Sequence, residues 1–388
     1  MSIIPAIQDL AADAQTWRRD IHQHPELDYD VLRTASFVAE RLKDFGCDEV
    51  ATGIGRTGVV GIIRGRGAAS ERTIGLRADM DALPIHETTN LSYRSATPGK
   101  MHACGHDGHT AMLLGAARYL TQSRNFSGTA VVIFQPAEEG GGGGKAMLDD
   151  GLMERFNIQE VYGMHNMPSL PVGSFAIRKG AFLAAADRFT IDIEGRGGHA
   201  AQPHRGVDPL LAGAQIVTAL QSIVARGVDP LDSCVVSVTK FDAGTAFNII
   251  PQTAQLMGTT RTLKNETRDY AEKRITEIAK GVGAALGVKV AVDYWRGYPP
   301  TRNHPDQTDF AASVAQKIAG ADHVATDTPP TMGAEDFSYM LEARPGAFIL
   351  VGNGETAGLH HPEYDFNDAA LPYGMSYWAR LVETALPA

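Results

Sequence analysis

Thr129-Ala130-Val131-Val132-Ile133-Phe134-Gln135-Pro136-Ala137-Glu138-Glu139 is the stretch on which the fold turns. Its apolar run is too short for a helix, rich in β-branched residues and not interrupted by polar ones, so it reads as a strand covered on both faces. Two carboxylates arrive where that strand should end. Similar runs lie at 58–63, 73–77 and 161–164, and polar residues follow two of them: Asp79 and Asp81 after the second, His165 after the third. In open α/β sheets ligands gather at the carboxyl ends of strands. Three strand ends can therefore converge on one site.

Periodicity of 3.6 predicts helices over 5–22, 31–45 and 107–121, so the fold class is α/β, with a mixed central sheet flanked by helices. From about 185 the pattern changes to strand 188–194, a glycine-rich turn, helix 209–226, strands 234–241 and 254–263, helix 266–286 and strand 288–295. That βαββαβ order predicts a smaller α+β domain, helices on an antiparallel sheet, inserted at 185–297. The flanking parts, 1–184 and 298–388, form the larger domain. Another buried strand is predicted at 348–351, and the polar segment after it carries His360 and His361.

The 388 residues are 44% hydrophobic and 21% charged, a globular composition with room for two domains. A net charge of -10 argues against a nucleic-acid partner. Cys47, Cys104 and Cys234 are too few and too scattered for a disulfide framework, which points to a reducing compartment. Charges at Asp9, Asp13, Arg18, Arg19 and Asp20 break up any signal-peptide pattern, and no run is read as long enough to span a bilayer. The expectation is a cytoplasmic protein without a membrane partner.

Cys104 and His106 stand one residue apart in Met101-His102-Ala103-Cys104-Gly105-His106-Asp107-Gly108-His109-Thr110, and a thiolate beside an imidazole suits a borderline-soft divalent ion. Alone, such a pair is more often a buried thiol beside a helix cap than a ligand set. Cys104, His106, Glu139, His165 and His360 together would supply five donors, enough for two ions if one donor bridges. Adjacent carboxylates point opposite ways in extended backbone. This suits a division in which one of Glu138 and Glu139 coordinates while its neighbour accepts a proton from water. The glycine tract before Lys145 is not a phosphate loop, because Glu139 occupies the first glycine position of that motif and Ala146 the hydroxyl position. No G-x-S-x-G elbow is present, and a cysteine nucleophile would leave the surplus of carboxylates and imidazoles without a role. In the insert, His199, Asn248 and Arg261 fall near turns or strand ends. Arginine is the usual partner of a carboxylate.

These residues resemble the dinuclear-metal aminoacylase and carboxypeptidase family of metallopeptidases, in its branch of hippurate hydrolases, N-acyl-amino-acid amidohydrolases and plant auxin-conjugate hydrolases. The likeness runs from His22-Gln23-His24-Pro25-Glu26-Leu27, through Asp79-Met80-Asp81-Ala82-Leu83-Pro84, Met101 to Thr110 and Gln135 to Gly143, to Tyr364-Asp365-Phe366-Asn367-Asp368. It implies a metallopeptidase-type catalytic domain with an inserted lid, and hydrolysis of an N-acyl-L-amino acid to a carboxylic acid and a free amino acid. Two divalent ions are implied, zinc or manganese, with cobalt or nickel as other occupants. Cys104 would bridge them and His106, Glu139, His165 and His360 complete the set, His360 being preferred to His361 by the branch's Leu-His-x-Pro pattern. Glu138 would be the general base, Asp79 would orient a ligand, and His199, Asn248 and Arg261 would hold the substrate carboxylate or oxyanion. The chain departs from the wider family at Arg77, where a ligand histidine is usual, and at Cys104, where the bridge is usually a carboxylate. A dipeptidase or carboxypeptidase of the same fold, a binding protein without catalysis, and self-assembly through the lid stay open.

Overall fold

The computed structural model describes residues 2–388. The chain divides into two compact units, one made of the described residues up to Gly180 with Arg302–Pro329 and Asp336–Ala388, the other of Ala181–Thr301 and Pro330–Glu335. The stretch 185–297 lies inside the second unit, which also takes in the separate segment 330–335.

The first unit is built on eight strands in the order Glu49–Ile54, Gly58–Arg64, Thr129–Gln135, Thr73–Asp79, Glu160–Pro168, Gly346–Gly354, Phe175–Ala176, Val324–Ala325. Thr129–Gln135, Thr73–Asp79, Glu160–Pro168 and Gly346–Gly354 are parallel, neighbour to neighbour, so their carboxyl ends share one edge. The outer pairs on the Glu49–Ile54 side are antiparallel, which makes the sheet mixed. In Thr129–Gln135, Val132 and Phe134 join the main core with Leu113, Leu114 and Leu120 of helix His106–Ser123 and Trp378 and Leu381 of helix Leu371–Ala385. Val131 and Ile133 point the other way and are equally buried. Burial on both faces is why this strand carries no polar alternation.

Several elements differ from expectation. The helix at 5–22 is two helices, Pro5–Asp9 and Ala11–Gln23, because the chain tightens at Leu10, whose N–H bonds to Ile7 O at 3.1 Å. His165 lies inside its strand rather than after it, since pairing of Leu350 with His165 and Val351 with Asn166 prolongs the ladder. The glycine tract is only partly a turn: Gly143 opens helix Gly143–Asp149, and Gly144 N–H donates to Asp336 Oδ2 at 2.8 Å. Strand Glu49–Ile54 and helices Pro305–Ala319 and Leu371–Ala385 were not expected.

The second unit has four antiparallel strands in the order Cys234–Ala243, Thr253–Thr262, Ala185–Glu194, Lys289–Arg296. Phe189, Ile191, Ile193 and Leu256 pack against Ala212, Ile216 and Leu220 of helix Pro209–Leu220 and Ile275 and Ala279 of helix Asn265–Leu286. Asp208 starts the shorter helix by accepting the N–H groups of Leu210 and Leu211. One expectation is corrected here. Pro209–Gly227 is long and apolar enough to cross a membrane by length and composition, with mean hydropathy 1.2. Its Ala212, Ile216 and Leu220 are committed to this unit's core.

Candidate metal centre

Each parallel strand delivers polar groups to the shared edge. Cys104 comes from the loop before helix His106–Ser123, a loop that closes on Gly105 at φ 88°. A side chain there would stand on Asn166 Nδ2 and the Tyr364 hydroxyl. Those two groups tie the loop down: Asn166 Nδ2 donates to Cys104 O at 2.7 Å, and Tyr364 donates to Asn166 Oδ1 at 2.7 Å.

Cys104, His106 and His165 each place one donor atom within 4.8 Å of the others, and so do Cys104, Glu139 and His360. Cys104 thus belongs to both triads. A third group joins His106 with Glu138 and Glu139, and a fourth joins Asp79, His106 and His109. Cys104 Sγ lies 3.3 Å from His165 Nε2, and His360 Nε2 lies 3.3 Å from Glu139 Oε1. The neighbouring His361 turns away, its Nδ1 accepting from Glu363 N–H at 3.1 Å.

The hydrogen bonds set the tautomers. His106 Nδ1 meets Asp81 O at 2.7 Å and His165 Nδ1 meets Asn166 O at 2.6 Å, so each Nδ1 is the donor; the Nε2 of neutral His165 keeps its lone pair, and the Nε2 of His106 is the nitrogen from which a bound cation would displace a proton. His109 has both nitrogens engaged, Nδ1 with Asp79 Oδ1 at 2.6 Å and Nε2 accepting Asn166 N–H at 2.9 Å. It is therefore a poor ligand. Asp79, a ligand-orienting residue by expectation, touches His109 and Arg77 and lies 3.8 Å from His106 Nε2.

Asp81 accepts the N–H groups of Glu138 at 2.9 Å and Glu139 at 3.0 Å, one on each oxygen. Two consecutive amides converging on one carboxylate form a small backbone nest. It depends on Ala137, a buried non-glycine residue at φ 54°, a conformation that costs about 1–2 kcal/mol. Behind it, Arg77 bonds Asp79 at 2.7 Å, Gln135 at 2.9 Å and Asp336 at 2.9 Å.

The field at the site is negative. Burial opposes ionisation of Asp79, yet His106, Arg77 and His109 hold its carboxyl well below the usual range. Burial likewise opposes the charged form of Glu139, and the His360 hydrogen bond with the charge of His106 keeps its carboxyl low. Burial would lower His106, but Asp79, Asp81 and Glu139 raise it to about 10. Burial, then the carboxylates of Glu139 and Glu138, pushes the Cys104 thiol well up, so it becomes a thiolate only where a cation offsets that charge. Burial pushes His165 well down and leaves it neutral. Among the described residues the buried His106 Nε2 has no hydrogen-bond partner, and the buried Glu139 Oε1 meets His360 Nε2 at 3.3 Å. Such donor atoms in a negative pocket containing sulfur, imidazole and carboxylate fit divalent metal ions.

In the second unit, His199 and Asn248 meet on a two-strand ribbon in which His199 pairs with Ile249, and Ala200 N–H donates to Asn248 O at 3.0 Å. Arg261 sits apart on strand Thr253–Thr262, half-buried, bonded to Thr260 O at 2.9 Å and to Thr259 Oγ1. Among the described residues it makes no ion pair. Sequence reading missed the parts played by Asp81, His109, Arg77, Asn166 and Asp336. Repetition of Asp and His inside the motifs was the only available signal.

Soft and hard donors packed at strand ends of a mixed sheet, with a carboxylate beside them, define a metal-dependent hydrolase. This chain belongs to peptidase family M20/M25/M40, whose sequence profile matches residues 75–384. It is 45% identical over 381 residues to a hippurate hydrolase of Campylobacter jejuni, covering 98% of each chain. It is 37% identical over 370 residues to an N-acetylcysteine deacetylase of Bacillus subtilis, covering 95% of this chain and 96% of the other. Among solved structures, a Bacillus subtilis protein described as a dinuclear metal binding peptidase of the M20 family superposes with a TM-score of 0.86 at 33% identity, covering 98% of this chain and 99% of that one.

Proposed function

We propose that this metal-dependent amidohydrolase removes the acyl group from N-acyl-L-amino acids, releasing a carboxylate and a free amino acid. The observation that carries the reading is that Cys104 belongs to two donor triads at once, beside a Glu138–Glu139 pair whose amides are gripped by Asp81. Cys104, His106 and His165 would hold one divalent ion and Cys104, Glu139 and His360 a second, zinc or manganese by donor softness. Such ions supply Lewis-acid polarisation of the amide carbonyl and a water that ionises near neutral pH.

Glu138 takes a proton from the attacking water and returns it to the leaving nitrogen, so the amine departs neutral and the acid remains with the acyl group. Its 7% exposure keeps competing water away from that proton. Arg261 is assigned to the substrate carboxylate, and His199 and Asn248 to the developing oxyanion, each such donor being worth about 3–4 kcal/mol. Three cysteines without a disulfide accord with a cytoplasmic enzyme.

The test is amine release from a panel of N-acyl amino acids, hippurate included, by protein loaded with zinc, manganese or cobalt and by chelator-treated protein. Release that requires metal supports the reading. Silence across the panel, or preferential cleavage of dipeptides, contradicts it.

A further inference from the structure

The segment Pro25-Glu26-Leu27-Asp28-Tyr29-Asp30 carries none of the donor atoms, yet it runs alongside the strand ends that do. Glu26 fixes its start: the carboxylate accepts Arg33 N–H at 3.0 Å and Thr34 N–H at 2.8 Å, at the head of helix Leu32–Asp44. Ala82 N–H donates to Glu26 O at 2.8 Å, one residue beyond Asp81. Asp30 N–H closes a turn onto Leu27 O at 2.8 Å, and at the corner of that turn Asp28 has φ 49°. The corner aims Asp28 O at Ala137 N–H, 3.0 Å away.

Two left-handed, non-glycine residues thus face each other across one hydrogen bond, and the second immediately precedes Glu138. A strand prolonged in extended form would carry residues 138 and 139 to opposite faces. The turn at Ala137 instead brings both amides to Asp81. Strained backbone persists where surrounding contacts over-determine it. Here those contacts are Asp28 O on Ala137 N–H, Gly143 N–H on Ala137 O at 3.0 Å, and the Asp81 grip.

We infer that Asp28 is a positioning residue: its left-handed backbone pins Ala137 and so aims the Glu138 carboxylate. The inference rests on the hydrolase reading for Glu138 but concerns Asp28, whose side chain is exposed and whose carboxyl is raised by partial burial and then by the carboxylates of Asp81 and Glu139. Gly, Asn, Ala and Val all remove that carboxylate, so differences among the four variants report the backbone conformation and not the charge. Glycine and asparagine adopt φ near 50° readily, alanine less so, and β-branched valine worst.

The experiment compares Asp28→Gly, Asp28→Asn, Asp28→Ala and Asp28→Val in the full, metal-loaded chain, reading kcat, KM, metal content and deuterium exchange of the peptide containing Ala137, Glu138 and Glu139. The expected kcat is within about twofold of wild type for Gly and Asn, and about tenfold lower for Val, with Ala between and KM and metal content unchanged. Exchange at the peptide should quicken by about tenfold in Val and stay at the wild-type rate in Gly and Asn. Equal kcat and exchange across the series, or equal losses in Asn and Val, would overturn the inference. The Ala variant decides the matter if Val does not fold. Absence of turnover by wild type itself speaks against the hydrolase reading, and the exchange rates then judge the brace alone.

Discussion

Asp81→Asn removes one oxygen and one charge without changing volume, and the structure states what that does. The two carboxylate oxygens each accept one amide, Glu138 N–H at 2.9 Å and Glu139 N–H at 3.0 Å. In the carboxamide, one of those amides must face an NH2 group. One hydrogen bond to a charged acceptor is lost, typically about 1.5–3 kcal/mol, and an amide beside a buried carboxylate is left without an acceptor, about 1–3 kcal/mol more, the two costs overlapping. The expected loss is about 2–4 kcal/mol, read as a lower urea midpoint with unchanged slope in chelator-treated protein. Because the freed amide belongs to one of the two glutamates, kcat should fall together with stability. A midpoint shift worth less than about 0.5 kcal/mol would refute the claim that Asp81 holds the glutamate pair.

Three further outcomes follow from the same geometry. Cys104→Ser should retain fewer than two ions per chain after dialysis against limiting metal, and unchanged metal content would remove Cys104 from the ligand set. Gly105→Ala puts a methyl group on Asn166 and Tyr364 in a left-handed backbone, so unfolding should show a loss of about 2–5 kcal/mol; a neutral result would mean that the loop is not held as described. His22 is buried, and although burial opposes its charge, the Asp107 hydrogen bond at 2.8 Å raises it from 6.5 to about 9. A folded-state value above the unfolded one gives stability that is full below pH 6.5 and lost as pH rises through about 9, of order 3 kcal/mol. The stability gap between wild type and His22→Gln should therefore shrink from pH 6 to pH 9.5, and a constant gap would show that His22 is not protonated in the fold.

The parallel strands and their chemistry were legible because burial on both faces leaves an uninterrupted apolar run, and because polar residues stand out where such a run stops. Glu138 and Glu139 are visible in that way, Cys104 and His106 by their spacing where a loop enters a helix, and the structure brings them together with His165 and His360. Arg77 was harder. It is read as the last residue of the strand run 73–77, but nothing in the run says that its side chain is fully buried and bonded to Asp79, Gln135 and Asp336. Only tertiary structure supplies those partners. Strand Glu49–Ile54 escaped notice because, paired on one side only, it is mostly exposed and shows no apolar alternation. The left-handed turns at Asp28 and Ala137 leave almost no trace in sequence, since alanine is not a residue that announces positive φ.

In the proposed reaction Glu138 is the group that moves the proton. Glu138→Gln, loaded with metal and assayed on an N-acyl amino acid that the wild type cleaves, should keep the wild-type metal content while kcat falls by at least about 100-fold. Turnover close to that of the wild type, with metal retained, would contradict it.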